Sequence, residues 1–108
     1  MGIKKFKESL DVIRSVFGNE VYITQLAIFL EVANHEGIST PDLEKRLGVA
    51  QNTLSRNIKK LSRYRDRKTK KIEGLNLMYS TQDLEERRRF VFFLTPEGHE
   101  LKKRLNSL

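Results

Sequence analysis

Apolar residues recur along the first segment at Ile3, Phe6, Leu10, Ile13 and Phe17, spaced 3, 4, 3 and 4 apart. That rhythm draws one stripe along a helix and predicts an α-helix over residues 3–17. Gly18 and Asn19 follow, and the glycine is expected to close the helix in a left-handed cap. The stripe suits packing on its own domain and equally a seam with a second subunit. A second helix is predicted over residues 24–35, with Leu26, Phe29, Leu30 and Ala33 on one face and Gly37 as the stop.

The next segment opens with Ser39-Thr40-Pro41-Asp42. Thr40 can cap, Pro41 suits the first helical position, and Asp42 favours the positive end of the helix dipole. This helix of about two turns runs through Leu43 and Leu47 and closes at Gly48. Only Val49 and Ala50 precede the next helical pattern, so the pair reads as a helix-turn-helix over about residues 39–64. In the second helix, predicted from about residue 49 to residue 64, Leu54, Ile58 and Leu61 define the buried side. Gln51, Asn52, Thr53, Ser55, Arg56, Lys59 and Lys60 occupy the opposite side, short and polar first and basic further along. That order suits a helix entering the major groove tip first, with amides and hydroxyls at base edges and cations at phosphates.

Residues 63–71 are basic and almost without apolar side chains; a partly ordered loop near phosphate is expected there, with Ile72, Leu75 and Leu77 returning to the core. Residues 77–80 and 89–94 are β-like and flank a charged tip, so residues 77–94 read as a β-hairpin wing. In the second strand Phe90, Phe92 and Leu94 share one face and Val91 and Phe93 the other. With both faces apolar, the outer one is expected to need cover from a terminal helix or a partner. Thr95-Pro96-Glu97 opens a last helix over residues 96–108, with Leu101, Leu105 and Leu108 as its stripe. The predicted class is α+β, mainly α: a single winged helix-turn-helix domain over residues 1–108, with an N-terminal helix, a hairpin wing and a C-terminal helix.

Charge narrows the partner. The 108 residues carry 21 Lys and Arg against 14 Asp and Glu, a formal charge of +7. Nine of the cations and only one acid, Asp66, fall between Arg56 and Lys71, and Arg87, Arg88 and Arg89 form a second cluster. Two basic clusters beside a helix-turn-helix point to double-stranded DNA. Absence of cysteine excludes disulfides, thiolate zinc and a cysteine nucleophile. His35 and His99 lie in different segments, so neither a metal site nor a cofactor is expected. An enzyme is not expected either, because no phosphate-binding glycine loop or nucleophile with a base is evident. No run of about 18 apolar residues occurs, and Met1 to Lys7 lacks an apolar signal region, so a cytoplasmic protein without a membrane partner is expected.

Three stretches, in order, resemble the MarR family of winged-helix regulators. They are Leu47-Gly48-Val49-Ala50-Gln51-Asn52-Thr53-Leu54-Ser55-Arg56, the wing Asp83-Leu84-Glu85-Glu86-Arg87-Arg88, and Leu94-Thr95-Pro96-Glu97-Gly98. The resemblance implies a homodimeric transcriptional regulator, with repression if a promoter is occluded, and makes Arg88 the wing-tip arginine. Gln51, Asn52, Thr53, Ser55 and Arg56 would lie near base edges, Lys59, Lys60 and Arg63 at phosphate, and Arg87, Arg88 and Arg89 in the minor groove. A dimer would draw on Ile3, Phe6, Leu10, Ile13 and Phe17 together with Leu101, Leu105 and Leu108. Members of that family often bind a small-molecule effector near the dimer interface, but no pocket for one is identifiable from these residues. The pattern departs in several places: Leu84 stands for a usual proline, Glu86 for an aspartate, Ala50 for a capping Ser or Asp. The link over residues 62–73 is long and the last helix short. A winged helix serving protein interaction, or replication or packaging of a mobile element, is the alternative.

Overall fold

Leu43, Leu54 and Leu61 of the helix-turn-helix are fully buried against Ile28, Phe29 and Val32, and this cluster organises the molecule. The structure is a computed structural model describing residues 2–108. Its elements are α1 (Ile3–Phe17), α2 (Ile23–Asn34), β1 (Ile38–Ser39), α3 (Thr40–Leu47), α4 (Gln51–Leu61), β2 (Tyr64–Arg65), β3 (Ile72–Glu73), β4 (Met78–Gln82), β5 (Phe90–Leu94) and α5 (Pro96–Asn106). The winged helix-turn-helix, mainly helical, is as the sequence pattern indicates.

α1 has the predicted bounds, but Gly18 adopts φ 101°, ψ 179° rather than a left-handed cap. The stripe divides. Ile13 is buried and Phe17 packs edge-on against Phe29 at 6.1 Å, so these two belong to the chain's own core. Ile3, Phe6 and Leu10 are 91%, 63% and 37% exposed. The last helix divides similarly: Leu101 is buried and Leu105 half-buried, whereas Leu108 lies exposed beyond α5. Of the eight residues expected at a subunit seam, Ile13, Phe17 and Leu101 are therefore consumed internally, and Leu105 packs partly against the same core.

α2 buries a face that only partly matches the one expected: Phe29 and Ala33 are buried as expected and Leu26 is half-buried. Gln25, Ile28, Phe29, Val32 and Ala33 point inward, and Leu30 is 39% exposed. α3 is capped by Ser39, whose hydroxyl accepts from Asp42 N at 3.3 Å, so Thr40 opens the helix instead of capping it. Gly48 closes α3 at φ 62°, ψ 34°, a left-handed conformation that glycine adopts without a Cβ penalty.

The sheet has the order β1-β5-β4, all antiparallel, with Ile38 opposite Phe92 and Met78 opposite Leu94. β1 was not anticipated; two residues are too few to show a period. The outer face of the wing is not covered by a helix. Tyr79, opposite Phe93, stacks on its ring at 5.8 Å, and Gly37 lies against the same ring. At the start of α5, the Thr95 hydroxyl accepts from Gly98 N at 3.0 Å and donates to Asn76 O at 2.6 Å.

α4 is shorter than predicted and stops at Leu61. The basic stretch after it neither extends the helix nor forms a loose loop; Tyr64–Arg65 pairs antiparallel with Ile72–Glu73 as a small hairpin. Ile72 is 48% exposed and does not return to the core, whereas Leu77 does. The last helical carbonyls explain the stop. Leu75 N donates to Lys60 O at 2.9 Å and Leu77 N to Leu61 O at 2.8 Å, so acceptors that a helix end leaves orphaned are taken by the returning chain. Leu77 in turn accepts from Thr95 N at 3.1 Å.

Candidate nucleic-acid interface

α4 presents its polar side to solvent because its apolar side is committed. With Leu54 and Leu61 fully buried and Ile58 packed on the core, helical geometry turns Asn52, Ser55, Arg56 and Lys59 outward, and all four are exposed. Thr53 is half-buried on the flank, where its carbonyl accepts from Asn57 Nδ2 at 2.8 Å. Among the described residues none hydrogen-bonds or ion-pairs with the Arg56 side chain, leaving five guanidinium donors for an external acceptor. Ala50 holds the N-cap position with no side-chain hydrogen bond, so the first amides of α4 also face outward unsatisfied.

The remaining cations fall into separate places. Gln51, Ser55, Lys59 and Arg63 line a cleft of about 480 Å³ whose opposite wall is Ser80, Phe90 and Phe92 of the wing. Arg88 and Arg89 meet Gln51, Thr40 and Glu44 in an adjoining cleft of about 530 Å³, so the wing brings two of its three arginines to the N-terminal end of α4. Arg87 is exposed and lines neither cleft. Lys60 lies on the other flank of α4, in a groove with Phe17, Glu20 and Tyr22. The wing tip is braced internally: Asp83 accepts from Glu85 N at 3.0 Å, and Asp83 N donates to Arg89 O at 2.9 Å. Leu84, in place of a proline, is 98% exposed.

The hairpin of β2 and β3 joins this surface. Lys59 Nζ sits 4.8 Å from the centre of the Tyr64 ring, a cation–π contact that ties the hairpin to α4. The Tyr64 hydroxyl donates to Glu73 at 3.3 Å; partial burial, then the Glu73 carboxylate, raise its pKa above the ordinary phenol value. Asp66 Oδ1 accepts from Lys68 N at 2.8 Å and Thr69 N at 2.9 Å, and these amide donors hold its carboxyl below the usual range. An ordered hairpin here was missed; the signal for it was a turn-forming Asp between the β-formers Tyr64 and Ile72.

No group of three His, Asp or Glu side chains placed to hold a metal occurs among the described residues, and no helix is long and apolar enough to cross a membrane.

A sequence family described as "Helix-turn-helix domain" matches residues 24–65, which is α2 through β2. Comparison with curated protein sequences finds no match. Among solved structures, RV1404 from Mycobacterium tuberculosis superposes with a TM-score of 0.70 at 22% identity over 96% of this chain and 63% of its own. A mutant MepR of S. aureus bound to an oligodeoxyribonucleotide gives 0.67 at 20% identity, covering 96% and 67%. MarR gives 0.62 at 20% identity, covering 95% and 73%. The fold is thus the MarR-type winged helix-turn-helix.

Proposed function

We propose that this chain is a sequence-specific double-stranded DNA-binding transcriptional regulator, acting as a homodimer and repressing by promoter occlusion. The observation that carries this reading is the exposed polar side of α4, braced from behind by Leu54 and Leu61 and flanked by the wing arginines. A mutant MepR with the same fold has an oligodeoxyribonucleotide bound, which supports it. Asn52, Ser55 and Arg56 face base edges, with Gln51 beside the wing and Thr53 on the far flank. Lys59, Lys60 and Arg63 neutralise phosphate, and Arg87, Arg88 and Arg89 reach the adjacent minor groove, favouring narrow A·T-rich segments. The amides at the start of α4 face a phosphate that completes the cap Ala50 cannot. Two recognition helices related by a dimer axis read half-sites about 10 bp apart, with exposed Ile3, Phe6 and Leu10 of α1 in the seam.

The test is a mobility shift of the full chain with random duplex DNA at two salt concentrations, followed by selection of bound sequences from a random pool. Salt-dependent binding and enrichment of a near-palindromic site are expected. Negligible, salt-insensitive binding would refute the reading in favour of a protein-interaction module.

A further inference from the structure

We propose that the β2–β3 hairpin is a second basic wing that grips backbone phosphates of the same DNA bound by α4. This deepens the DNA-binding reading and rests on it. Residues 63–73 hold six cations and two acids, and both acids are occupied within the hairpin. Asp66 spends its carboxylate on the amides of Lys68 and Thr69, and Glu73 accepts from Tyr64. Arg65, Arg67, Lys68, Lys70 and Lys71 are all exposed. The negative groups build the turn while the positive ones fan outward.

The turn is ordered well enough to aim them. Asp66 N donates to Lys71 O at 2.8 Å, Lys70 N to Asp66 O at 2.9 Å, and Arg65 Nη1 to Lys70 O at 3.0 Å. Lys70 itself takes φ 63° to close the loop. The base is fixed to the end of α4 through Lys60 O and Leu61 O.

Orientation follows from Lys59. Its ammonium lies over Tyr64, 4.8 Å from the ring centre, at the base of the hairpin. Lys59 also lines the cleft between α4 and the wing. The base of the hairpin, at Tyr64, therefore joins the cleft that Gln51, Ser55, Lys59 and Arg63 line on α4. Chemistry selects phosphate as the occupant. From Asp66 to Lys71 the tip has no apolar side chain, whereas protein interfaces have an apolar core and backbone phosphates need only cations.

The experiment uses the full chain and a random-sequence duplex of about 30 bp, three helical turns. Lysines are acetylated with and without DNA and read by mass spectrometry, with Lys4 and Lys5 at the far end of α1 as references. Lys68 and Lys71 are expected to be protected several-fold alongside Lys59. In parallel, the triple variant R67Q/K68Q/K71Q removes three cations whose side chains make none of the turn's hydrogen bonds. Losing three phosphate contacts flattens the salt slope by about 2.7 units, so between 50 and 200 mM salt the variant loses about 40-fold less affinity than the parent. Protection of Lys59 without Lys68 and Lys71, or an unchanged slope, overturns the second wing and leaves the α4 reading standing. A flatter slope without protection also overturns it, since the charge then acts at a distance. No protection anywhere and no salt-dependent binding would remove the underlying DNA-binding function itself.

Discussion

Replacing Gly74 by alanine strikes the joint between α4 and the hairpin. Gly74 has φ 96°, and a Cβ added there would lie 1.8 Å from Ser62 O and 3.3 Å from Tyr64 Cδ1. The atom in the way is backbone, so the chain must move, straining the neighbouring Leu75–Lys60 and Leu77–Leu61 hydrogen bonds, each worth about 1 kcal/mol. The left-handed conformation adds about 1–2 kcal/mol, giving a loss of about 2–4 kcal/mol. Gly48→Ala supplies the control. Gly48 has φ 62° and nothing within 4 Å of an added Cβ, so it incurs the conformational penalty alone, less about 0.4–1 kcal/mol recovered from the unfolded chain. Urea unfolding followed by circular dichroism should find G74A less stable than G48A by at least about 1 kcal/mol, or about 4–8 °C in Tm. Equal losses would show that Ser62 O does not hold the hairpin against the helix.

Arg56→Ala should weaken binding to a selected site more than to random DNA, by about 1–3 kcal/mol if it reads a base; equal losses reassign it to phosphate. Arg88→Ala should flatten the salt slope by about one unit, and an unchanged slope would take the wing off the DNA. Phe6→Glu, at a 63% exposed position, should dissociate the homodimer in size exclusion with light scattering while the monomer stays folded; an unaltered mass would exclude α1 from the seam. The Asp66 turn should respond to acid with a defined sign. Its folded pKa is depressed, so the turn's contribution is present above the ordinary Asp pKa and is lost as pH falls through the lower folded value. The Lys68 and Thr69 amide resonances should shift with a midpoint below that ordinary value, and a midpoint at or above it would refute the Asp66 hydrogen bonds.

Sequence pattern revealed α1 because its apolar stripe is unbroken and ends at a glycine. The α3–α4 turn was legible for the same reason, with Leu43, Leu47, Leu54 and Leu61 at helical spacing. α2 was located, but of its expected face only Phe29 and Ala33 are fully buried and Leu30 is exposed. Apolar residues surround that helix on most sides, from Leu26 through Ala33, and periodicity cannot choose a face when nearly all qualify. Outward presentation of Asn52 and Arg56 followed from the pattern. The separation of Lys60 from Lys59 did not, since it depends on where the end of α1 and the wing lie around α4. The hairpin stayed hidden because its order comes from one carboxylate and two borrowed carbonyls, none of which leaves a trace in hydrophobic spacing.

Leu77 gives the molecule a mechanical property. Its N–H is bound to the last residue of α4 and its carbonyl to Thr95, the N-cap of α5, and a Cβ on Gly98 would come within 2.0 Å of that carbonyl. One peptide segment thus rivets two helices of 11 residues each, about 16 Å long at 1.5 Å per residue. The end of α4 and the start of α5 share one anchor in the segment that joins β3 to β4. A change that disturbs this anchor is expected to loosen both helix ends together, the base of the recognition helix included.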